Sequence, residues 1–149
     1  MFILKAPDNT ELLDKYRKAC TEERSNILEE KILDKELPSG IEYTAQEVRA
    51  LDIGWYFTVK ELKSLMKKVH DLEIMQINPG VINDGYWKTI SYKGGNDLGV
   101  LNYTTLLKSE LGQEYFISGT WNKEERIDER RFDRLYRNLG NIIQEKDNN

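Results

Sequence analysis

Apolar residues in the first third of the chain recur at the spacing of amphipathic helices. Capping-type residues at 8–10 precede an apolar face made of Leu12, Leu13, Tyr16 and Ala19. A second helix start is indicated at Thr21, with apolar positions at Ile27, Leu28, Ile32 and Leu33. The segment 37–40, Leu-Pro-Ser-Gly, has the composition of a turn and is expected to close this helical block.

Two capping boxes predict the next helices. One spans 44–47 and opens a short helix to about Leu51, and the other spans 58–61 and opens a longer helix to about Leu72. In each, the threonine hydroxyl and the glutamate three residues later can satisfy amide donors of the first turn. The longer helix is expected to bury Leu62, Leu65, Met66 and Val69. The aromatic triplet 55–57 between the boxes is expected to pack in the core.

After a turn at 78–80 the pattern changes to the two-residue period of strands. Strands are predicted at 86–92, 100–107 and 115–121, and the short glycine-containing link 109–112 predicts that the last two are antiparallel neighbours. A final helix is predicted to open near Asp128. Its apolar stripe consists of Phe132, Leu135, Tyr136, Leu139, Ile142 and Ile143.

This order of elements predicts an α+β fold. N-terminal helices precede a three-stranded antiparallel sheet, and the C-terminal helix packs on that sheet. The 149 residues are the length of one domain, and 39% hydrophobic with 32% charged residues is typical of soluble globular proteins. We therefore expect a single domain over 1–149, with a helical part at 1–76 and the sheet with its terminal helix at 77–149.

Charge and composition exclude several classes of function. A net charge of −4 argues against nucleic acid or a membrane surface as partner, and no apolar run approaches the roughly 20 residues of a membrane span. The N-terminus does not have the pattern of a signal peptide, so a cytoplasmic protein is expected, or an exported one if the chain is a fragment of a longer precursor. Cys20 is the only cysteine, and a structural or surface role is expected for it rather than that of a nucleophile. No residue spacing indicates a metal site, and no cofactor is expected.

The segment 87–102 carries the most specific pattern in the chain. A predicted strand leads directly into Lys93-Gly94-Gly95, and a second strand, a hairpin, a third strand and a helix follow. The triplet is similar to the Lys-Thr-Gly motif of class A β-lactamases. The whole segment resembles more closely the β-lactamase-related serine hydrolases, which read Lys-Gly-Gly-Ser-Glu-Pro-Gly-Val-Leu-Asn. Agreement at 4–5, 23–28, 52–57 and 120–122 extends the resemblance over about residues 2–143.

The resemblance implies the C-terminal half of a β-lactamase/transpeptidase-like fold. It also implies that Lys93, Gly94, Gly95 and Asn96 bind a ligand such as a small carboxylate, with Lys93 as the remnant of the catalytic motif. A lysine ammonium on an extended strand can bind a carboxylate, and the adjacent glycines allow close approach. The alternative is that Lys93 is only a strand-end lysine before a Gly-Gly turn.

The motifs that would complete a serine hydrolase are missing. The family's nucleophile lies in Ser-x-x-Lys and its second motif is Ser-Asp-Asn. Only Ser64 and Lys67 match the first by letter, at the wrong place in the order of elements, and Pro7-Asp8-Asn9 has proline where the second has serine. Asn96 replaces the serine expected after Lys-Gly-Gly, and His70, the only histidine, ends a predicted helix. The chain alone is therefore expected to be catalytically incompetent.

Three interpretations remain open. The chain is a truncated β-lactamase-like serine hydrolase domain, a non-catalytic binding or assembly module derived from that fold, or an unrelated small α+β protein with a fortuitous Lys-Gly-Gly. The resembled fold continues its sheet and covers its terminal helix with segments from its N-terminal half. We therefore expect an uncovered strand at 115–121 and an incompletely covered stripe of Phe132, Leu135 and Leu139. The expected partner is a second copy or the missing N-terminal half.

Overall fold

The computed structural model describes residues 2–36, 50–54, 56–82 and 85–148. The chain divides into two compact units, Met1–Trp55 and Tyr56–Asn149. The predicted α+β class is confirmed: helices are combined with a three-stranded antiparallel sheet and a C-terminal helix. The second unit holds the capping-box helix at 59–69 together with the sheet, whereas the sequence pattern had grouped that helix with the N-terminal helices. The single-domain assignment of 1–149 stays a prediction.

The first unit is helical. It contains α1 (Phe2–Lys5), a 3-10 turn (Pro7–Asn9), α2 (Thr10–Lys18) and α3 (Thr21–Lys31). Its core consists of Ile3, Leu4, Leu13, Ile32, Ala50 and Ile53. Two hydrogen bonds join the Arg17 guanidinium to the Asp52 carboxylate, at 2.8 and 2.7 Å, and lower the pKa of Asp52. The predicted turn at 37–40 and capping box at 44–47 lie outside the described residues.

Helix α3 begins where the sequence predicted, and its first turn is capped. The Glu23 carboxylate accepts a hydrogen bond from the Cys20 amide at 2.9 Å, which satisfies a donor that the helix leaves free. Cys20 is exposed, so of the two expected roles it has the surface position. Leu33 was expected on the buried face, but it follows the end of the helix at Lys31 and is 74% exposed.

The second unit carries the sheet. It consists of α4 (Val59–Val69), a 3-10 turn (Glu73–Met75), β1 (Thr89–Asp97), β2 (Val100–Lys108), β3 (Glu114–Asn122) and α5 (Glu129–Asp147). All three strands are antiparallel in the order β1-β2-β3, so the predicted hairpin between the last two is confirmed. The Asp128 carboxylate caps α5 by accepting from the Arg131 amide at 3.1 Å.

The first strand differs most from its predicted bounds. It begins at Thr89, which pairs with the last residue of β2, Lys108, so residues 86–88 have no partner on that strand. It also continues through the two glycines to Asp97, and the chain reverses only at Leu98 and Gly99. Gly99 has φ +77°, a conformation that favours glycine. The Gly94-Gly95 pair is therefore strand rather than turn.

The core of this unit lies between the sheet and α5. Its buried members are Ile82, Trp87, Ile90, Leu101, Leu107, Ile117, Phe132 and Tyr136. The Tyr103 ring packs edge-on against the rings of Phe132 and Tyr136, with centroids 5.0 and 5.4 Å apart. Ile90, Leu101, Leu107 and Ile117 belong to one core cluster with Phe132 and Tyr136 of α5, so one face of the sheet supports α5.

Several apolar residues expected in the core are exposed. Met66 is buried on α4, but its neighbour Leu65 in the predicted stripe is 44% exposed. Tyr56 and Phe57, expected as core anchors, are also exposed. On α5, Phe132 and Tyr136 face the sheet, whereas Leu135, Leu139 and Ile142 do not. The predicted stripe is wider than the face that the sheet covers, because one sheet face buries only part of a helix circumference.

Candidate functional site

Lys93 lies in the middle of β1 and on the sheet face opposite α5. Ile90 belongs to the core beneath α5, and the Tyr92 ring lies 5.6 Å from the Tyr103 ring in the same layer. Because side chains alternate along a strand, Ser91, Lys93 and Gly95 point to the other face. Lysine and the second glycine of the motif therefore share one face.

The C-terminal end of α4 approaches this second face beside Lys93. The Ser91 hydroxyl donates to the His70 carbonyl at 2.9 Å, and the Lys67 ammonium lies 3.7 Å from the Glu114 carboxylate. His70 caps α4, as predicted, and its ring lies 3.0 Å from the Asp71 carboxylate. Lys93 is two residues along β1 from Ser91, so it lies just beyond the contact between α4 and the strand.

The Lys93 side chain is exposed, and its ammonium donates to the carbonyl oxygen of Gly94. No carboxylate within the described residues forms an ion pair with Lys93. Its cationic group is held at the backbone of an edge strand, where an arriving anion can reach it. These positions fit an anion-binding role, because an exposed ammonium is accessible and loses little hydration on meeting a carboxylate.

The two glycines of the motif have different surroundings. A Cβ on Gly94 would collide with the Tyr92 hydroxyl, and a Cβ on Gly80 would lie 2.7 Å from the Tyr92 ring. Tyr92 therefore occupies the space above both glycines, on the α5 side. A Cβ on Gly95 would meet nothing within 4 Å, so open space lies beside Lys93 on the second face.

Asn96 is separated from Lys93 by the strand alternation. It is exposed and pairs with Leu101 of β2, and it belongs to the α5 side of the sheet. Asp97 takes the next position on the Lys93 side, and its carboxylate accepts from the Leu98 amide at 2.8 Å. The structure thus brings Lys93 and Gly95 together and places Gly94 and Asn96 on the opposite side.

A row of hydrogen-bonded polar side chains crosses the sheet next to Lys93. Thr104 pairs with Lys93 on one side and Ser118 on the other, and its hydroxyl lies 3.0 Å from the Ser118 hydroxyl. The Thr104 hydroxyl also donates to Oδ1 of the Asn102 side chain at 3.0 Å, and Nδ2 of the same side chain donates to the Thr120 hydroxyl at 2.8 Å. Sequence reasoning missed this row, because threonine and serine in a strand are also ordinary β-formers.

Hydrogen bonds orient the side chains of this row, and their exposure increases toward the edge strand β3. Asn102 orients Thr104, and Thr104 is only 2% exposed, so its hydroxyl is fixed by hydrogen bonds rather than by water. Ser118 is half-buried and Thr120 is exposed at the edge strand. The second face therefore presents the exposed Lys93 ammonium beside open space at Gly95, where a carboxylate or another small anion can reach it, whereas the Thr104 hydroxyl is buried and committed to Asn102 and Ser118.

The Ser64-x-x-Lys67 match does not form a nucleophile and base. Both residues lie on α4, where the Ser64 hydroxyl donates to the Lys60 carbonyl at 3.0 Å. Lys67 is directed instead to Glu114. The intervening Met66 is buried, as expected for a residue of the apolar stripe. Among the residues that the structure describes, no base accepts a proton from the Ser64 hydroxyl.

Two shallow cavities lie elsewhere in the second unit. One of about 430 Å³ is lined by charged residues of α5 and its cap, and one of about 380 Å³ lies along α4. Neither includes Lys93. The first is lined by Asp128, Arg130, Asp133, Arg134 and Arg137, and the second by Phe57, Lys60, Glu61, Ser64 and Leu65.

Metal ligands and membrane spans were searched over the same described ranges. There, no group of three or more His, Cys, Asp or Glu side chains is close enough to hold a metal ion. None of the helices described there combines the length and apolar character needed to cross a membrane. No known protein family matches the sequence, and no curated protein matches it.

Proposed function

We propose that this chain is part of a β-lactamase-like serine hydrolase fold that binds small carboxylates at Lys93 and has no hydrolase activity by itself. The observation that carries the proposal is the placement of an exposed lysine beside open space at Gly95, on an edge strand. The Lys93–Gly95 segment that resembles the family's motif is extended strand, as that motif requires, rather than the turn of the alternative interpretation.

The proposed ligand contacts follow from the chemistry of the second face. The Lys93 ammonium would pair with the carboxylate, and the Thr104–Ser118 hydroxyl row would lie on the side toward β3. Because the lysine is exposed, its attraction for an anion is screened by water, and a single pair of this kind contributes about 1 kcal/mol or less. A single pair of this strength corresponds to a dissociation constant of roughly 0.2 M or weaker, so we expect weak binding that needs high acetate concentrations to saturate.

Lack of hydrolysis follows from the surroundings of the only serine that fits the nucleophile motif by letter. The Ser64 hydroxyl is bonded within its own helix, and Lys67 pairs with Glu114. Loss of an activated nucleophile typically removes a factor of about 10⁴–10⁶ in rate. We therefore expect no turnover of a chromogenic cephalosporin or a p-nitrophenyl ester above background. Covalent labelling of Ser64 by a fluorescent penicillin would overturn this part of the proposal.

The carboxylate site is tested by an NMR titration of the ¹⁵N-labelled chain with sodium acetate, and with acetamide as the neutral control. Acetate should shift amide signals of 93–95 and 102–104 with saturation, and acetamide should not. Lys93→Met should abolish these shifts, whereas Lys88→Met, which removes another exposed lysine of the same unit, should leave them. Equal responses to acetate in both variants would show that no site exists at Lys93.

A second candidate function is assembly. It is favoured by exposed apolar residues on α5 and by the position of β3 at an edge of the sheet. Such surfaces are usually covered in the functional state of a protein. The partner would be either a second copy of the chain or a chain that supplies a further strand and helix. In either case the partner would extend both the sheet layer and the helix layer of the second unit.

A further inference from the structure

Three arginines lie along one side of α5 in the first half of the helix. Arg130, Arg134 and Arg137 have the i, i+4, i+7 spacing that places side chains in one line along a helix. The first two each come two positions before a residue that packs on the sheet, Phe132 and Tyr136, which is about 200° around the helix. All three arginines are exposed. This arginine cluster therefore points away from the sheet.

The arginine cluster borders a concave surface. The cavity of about 430 Å³ described above is lined by these three side chains together with Asp128 and Asp133. Small-molecule sites in proteins have volumes of roughly 300–1,000 Å³, so the space is large enough for a small ligand. A ligand in this cavity would meet several guanidinium groups, whereas one on a flat surface would meet a single exposed arginine.

Both carboxylates of the cavity are engaged by other groups. The Asp133 carboxylate accepts from the Tyr103 hydroxyl at 2.8 Å, and the Asp128 carboxylate accepts from the Arg131 amide at 3.1 Å. Among the residues that the structure describes, no carboxylate forms an ion pair with a member of the arginine cluster. Glu129, the other acidic residue of this half of α5, does not line the cavity. Three guanidinium groups are thus available to an anion there.

One member of the cluster is already fixed in position. Nε of Arg137 donates to the Val81 carbonyl at 3.1 Å, and within the described part of the chain its two terminal nitrogens have no partner. A side chain that is held in this way loses less rotamer freedom when a ligand binds than a mobile one. Val81 lies in the segment before β1, so the cavity is bordered by a second part of the chain next to the helix.

The chemistry of the cluster favours phosphate over carboxylate. A guanidinium presents paired N–H donors that match two oxygens of a phosphate, and this bidentate geometry is stronger and more specific than a single contact. A carboxylate has two oxygens and one charge, which one guanidinium satisfies. A phosphate group has three terminal oxygens and nearly two charges, so it can accept from two neighbouring guanidinium groups at once.

We propose that the arginine cluster binds the phosphate groups of a small phosphorylated molecule in this cavity. A small ligand fits better than a nucleic acid or a membrane surface, because the net charge of −4 repels an extended polyanion from the rest of the chain. Lys93 lies on the sheet face opposite α5, so the two anion sites are separate. The inference goes beyond carboxylate binding and does not depend on it.

An NMR titration of the ¹⁵N-labelled chain with pyrophosphate, observed at the arginine Nε–Hε signals, tests the site. The signals of Arg130, Arg134 and Arg137 should shift with saturation. Arg134→Gln should weaken binding about 10-fold, because it removes the central charge-assisted donor. Arg131→Gln is the matched control, since it removes the same charge from the same helix but its guanidinium lies 5.6 Å from the ring centre of Trp121. Equal weakening by both variants would overturn the proposal.

Further variants separate a phosphate site from diffuse attraction. Arg134→Lys keeps the charge but not the paired donors, so its affinity should lie between those of the wild type and Arg134→Gln. Asp133→Asn removes a carboxylate from the cavity and should strengthen binding about 3-fold. Lys93→Met should leave the pyrophosphate shifts of the cluster unchanged, and their loss in that variant would contradict a separate site. Absence of acetate binding in a chain that still binds pyrophosphate would refute only the carboxylate proposal.

Competition identifies the source of the phosphate groups. A short oligouridylate and vesicles that contain phosphatidylserine, each at the same phosphate concentration as pyrophosphate, should not displace it from the cluster. Displacement by either would assign the cluster to a nucleic acid or to lipid headgroups and would overturn the small-ligand proposal. Pyrophosphate that shifts none of the three arginine signals would overturn it as well.

Discussion

The hydroxyl oxygen of Tyr136 on α5 lies 2.9 Å from Oγ1 of Thr105 on the central strand. The same hydroxyl donates to the Ile117 carbonyl on β3 at 3.1 Å. A phenol has one proton, so with Ile117 as its acceptor, Thr105 is the donor to Tyr136. Both side chains are buried, at 2% and 0% exposure. The three groups join the helix to two strands of the sheet through a fully satisfied buried polar contact.

Replacing Tyr136 with phenylalanine should destabilise the second unit without changing its packing. The Ile117 carbonyl would lose its side-chain donor and Thr105 would lose its acceptor, which costs about 1–3 kcal/mol for buried groups. Denaturation by urea at pH 7 would measure the change in the free energy of unfolding. Tyr56→Phe, at an exposed position, is the matched control and should change it by less than about 0.5 kcal/mol. Equal effects of the two variants would contradict the role of this contact.

Alkaline titration should detect the raised pKa of the Tyr92 phenol. Burial, with a smaller effect of the nearby Asp133 carboxylate, raises the pKa of Tyr92 from 10 to about 12. The folded state favours the neutral phenol, so its contribution to stability is complete below pH 10 and is lost as the pH rises toward 12. Because the pKa values of Tyr86, Tyr103, Tyr115 and Tyr136 are raised as well, absorbance at 295 nm should show several late ionisations in the native chain, and Tyr92→Phe should lower the amplitude near pH 12 by one phenol. In guanidinium the two chains should differ by one phenol that ionises with the others.

Asp147 should make stability depend on acidic pH. Hydrogen bonds from the hydroxyls of Tyr115, at 2.7 Å, and Tyr86, at 2.8 Å, lower the pKa of Asp147. Because the folded pKa is depressed, the stabilisation is present above the unfolded value near 4 and is lost as the pH falls through the folded pKa. Asp147→Asn should therefore be less stable than the wild type at pH 7, and the difference should shrink at pH 3.

Thermal unfolding at several pH values would measure this convergence. Glu124→Gln, which neutralises an exposed carboxylate of the same unit, is the control. A difference between Asp147→Asn and the wild type that is constant from pH 7 to pH 3 would show that the carboxylate charge is not the source of the stabilisation.

The capping box at the start of α4 should stabilise that helix. The Glu61 carboxylate accepts from the Thr58 amide at 2.7 Å, and the Thr58 hydroxyl accepts from the Glu61 amide at 3.2 Å. Thr58→Ala removes the second bond and should lower stability by about 1 kcal/mol. Thr58→Ser keeps the hydroxyl and should lose much less. Amide hydrogen exchange of residues 59–62 would localise the effect, and equal exchange in both variants would count against the cap.

Local sequence signals predicted the elements of the second unit well. The capping box at 58–61, the cap at Asp128 and the glycine-containing link at 109–112 each depend on a few neighbouring residues, and the structure has a helix or turn at each. The start of β1 could not be predicted in this way. Residues 86–88 alternate like a strand, but strand bounds depend on the partner, and β2 ends opposite Thr89.

The burial of apolar side chains on α4 and α5, and the row of polar side chains across the sheet, could not be predicted from the sequence. Periodicity shows that Leu135 and Leu139 share a side of α5, but not that the sheet stops short of them. The same limit applies to Leu65 on α4. Thr104 and Ser118 become neighbours only through the register of β2 and β3, which no local pattern contains. Lys93 became a candidate ligand-binding residue because of the resemblance to the Lys-Thr-Gly motif and not because of its spacing from other residues.

The contact between Tyr92 and Gly94 constrains how this motif can evolve. Threonine at 94, as in Lys-Thr-Gly, would place its Cβ where the Tyr92 hydroxyl lies. Tyrosine at 92 and glycine at 94 should therefore be inherited together, and relatives with a side chain at 94 should have a smaller residue at 92. A mutational path from Lys-Gly-Gly to Lys-Thr-Gly must also shift or replace the tyrosine ring, which fills the space above Gly80 as well. Glycine at 94 thus depends on Tyr92 of the same strand, and Tyr92 in turn depends on Gly80 in the preceding segment.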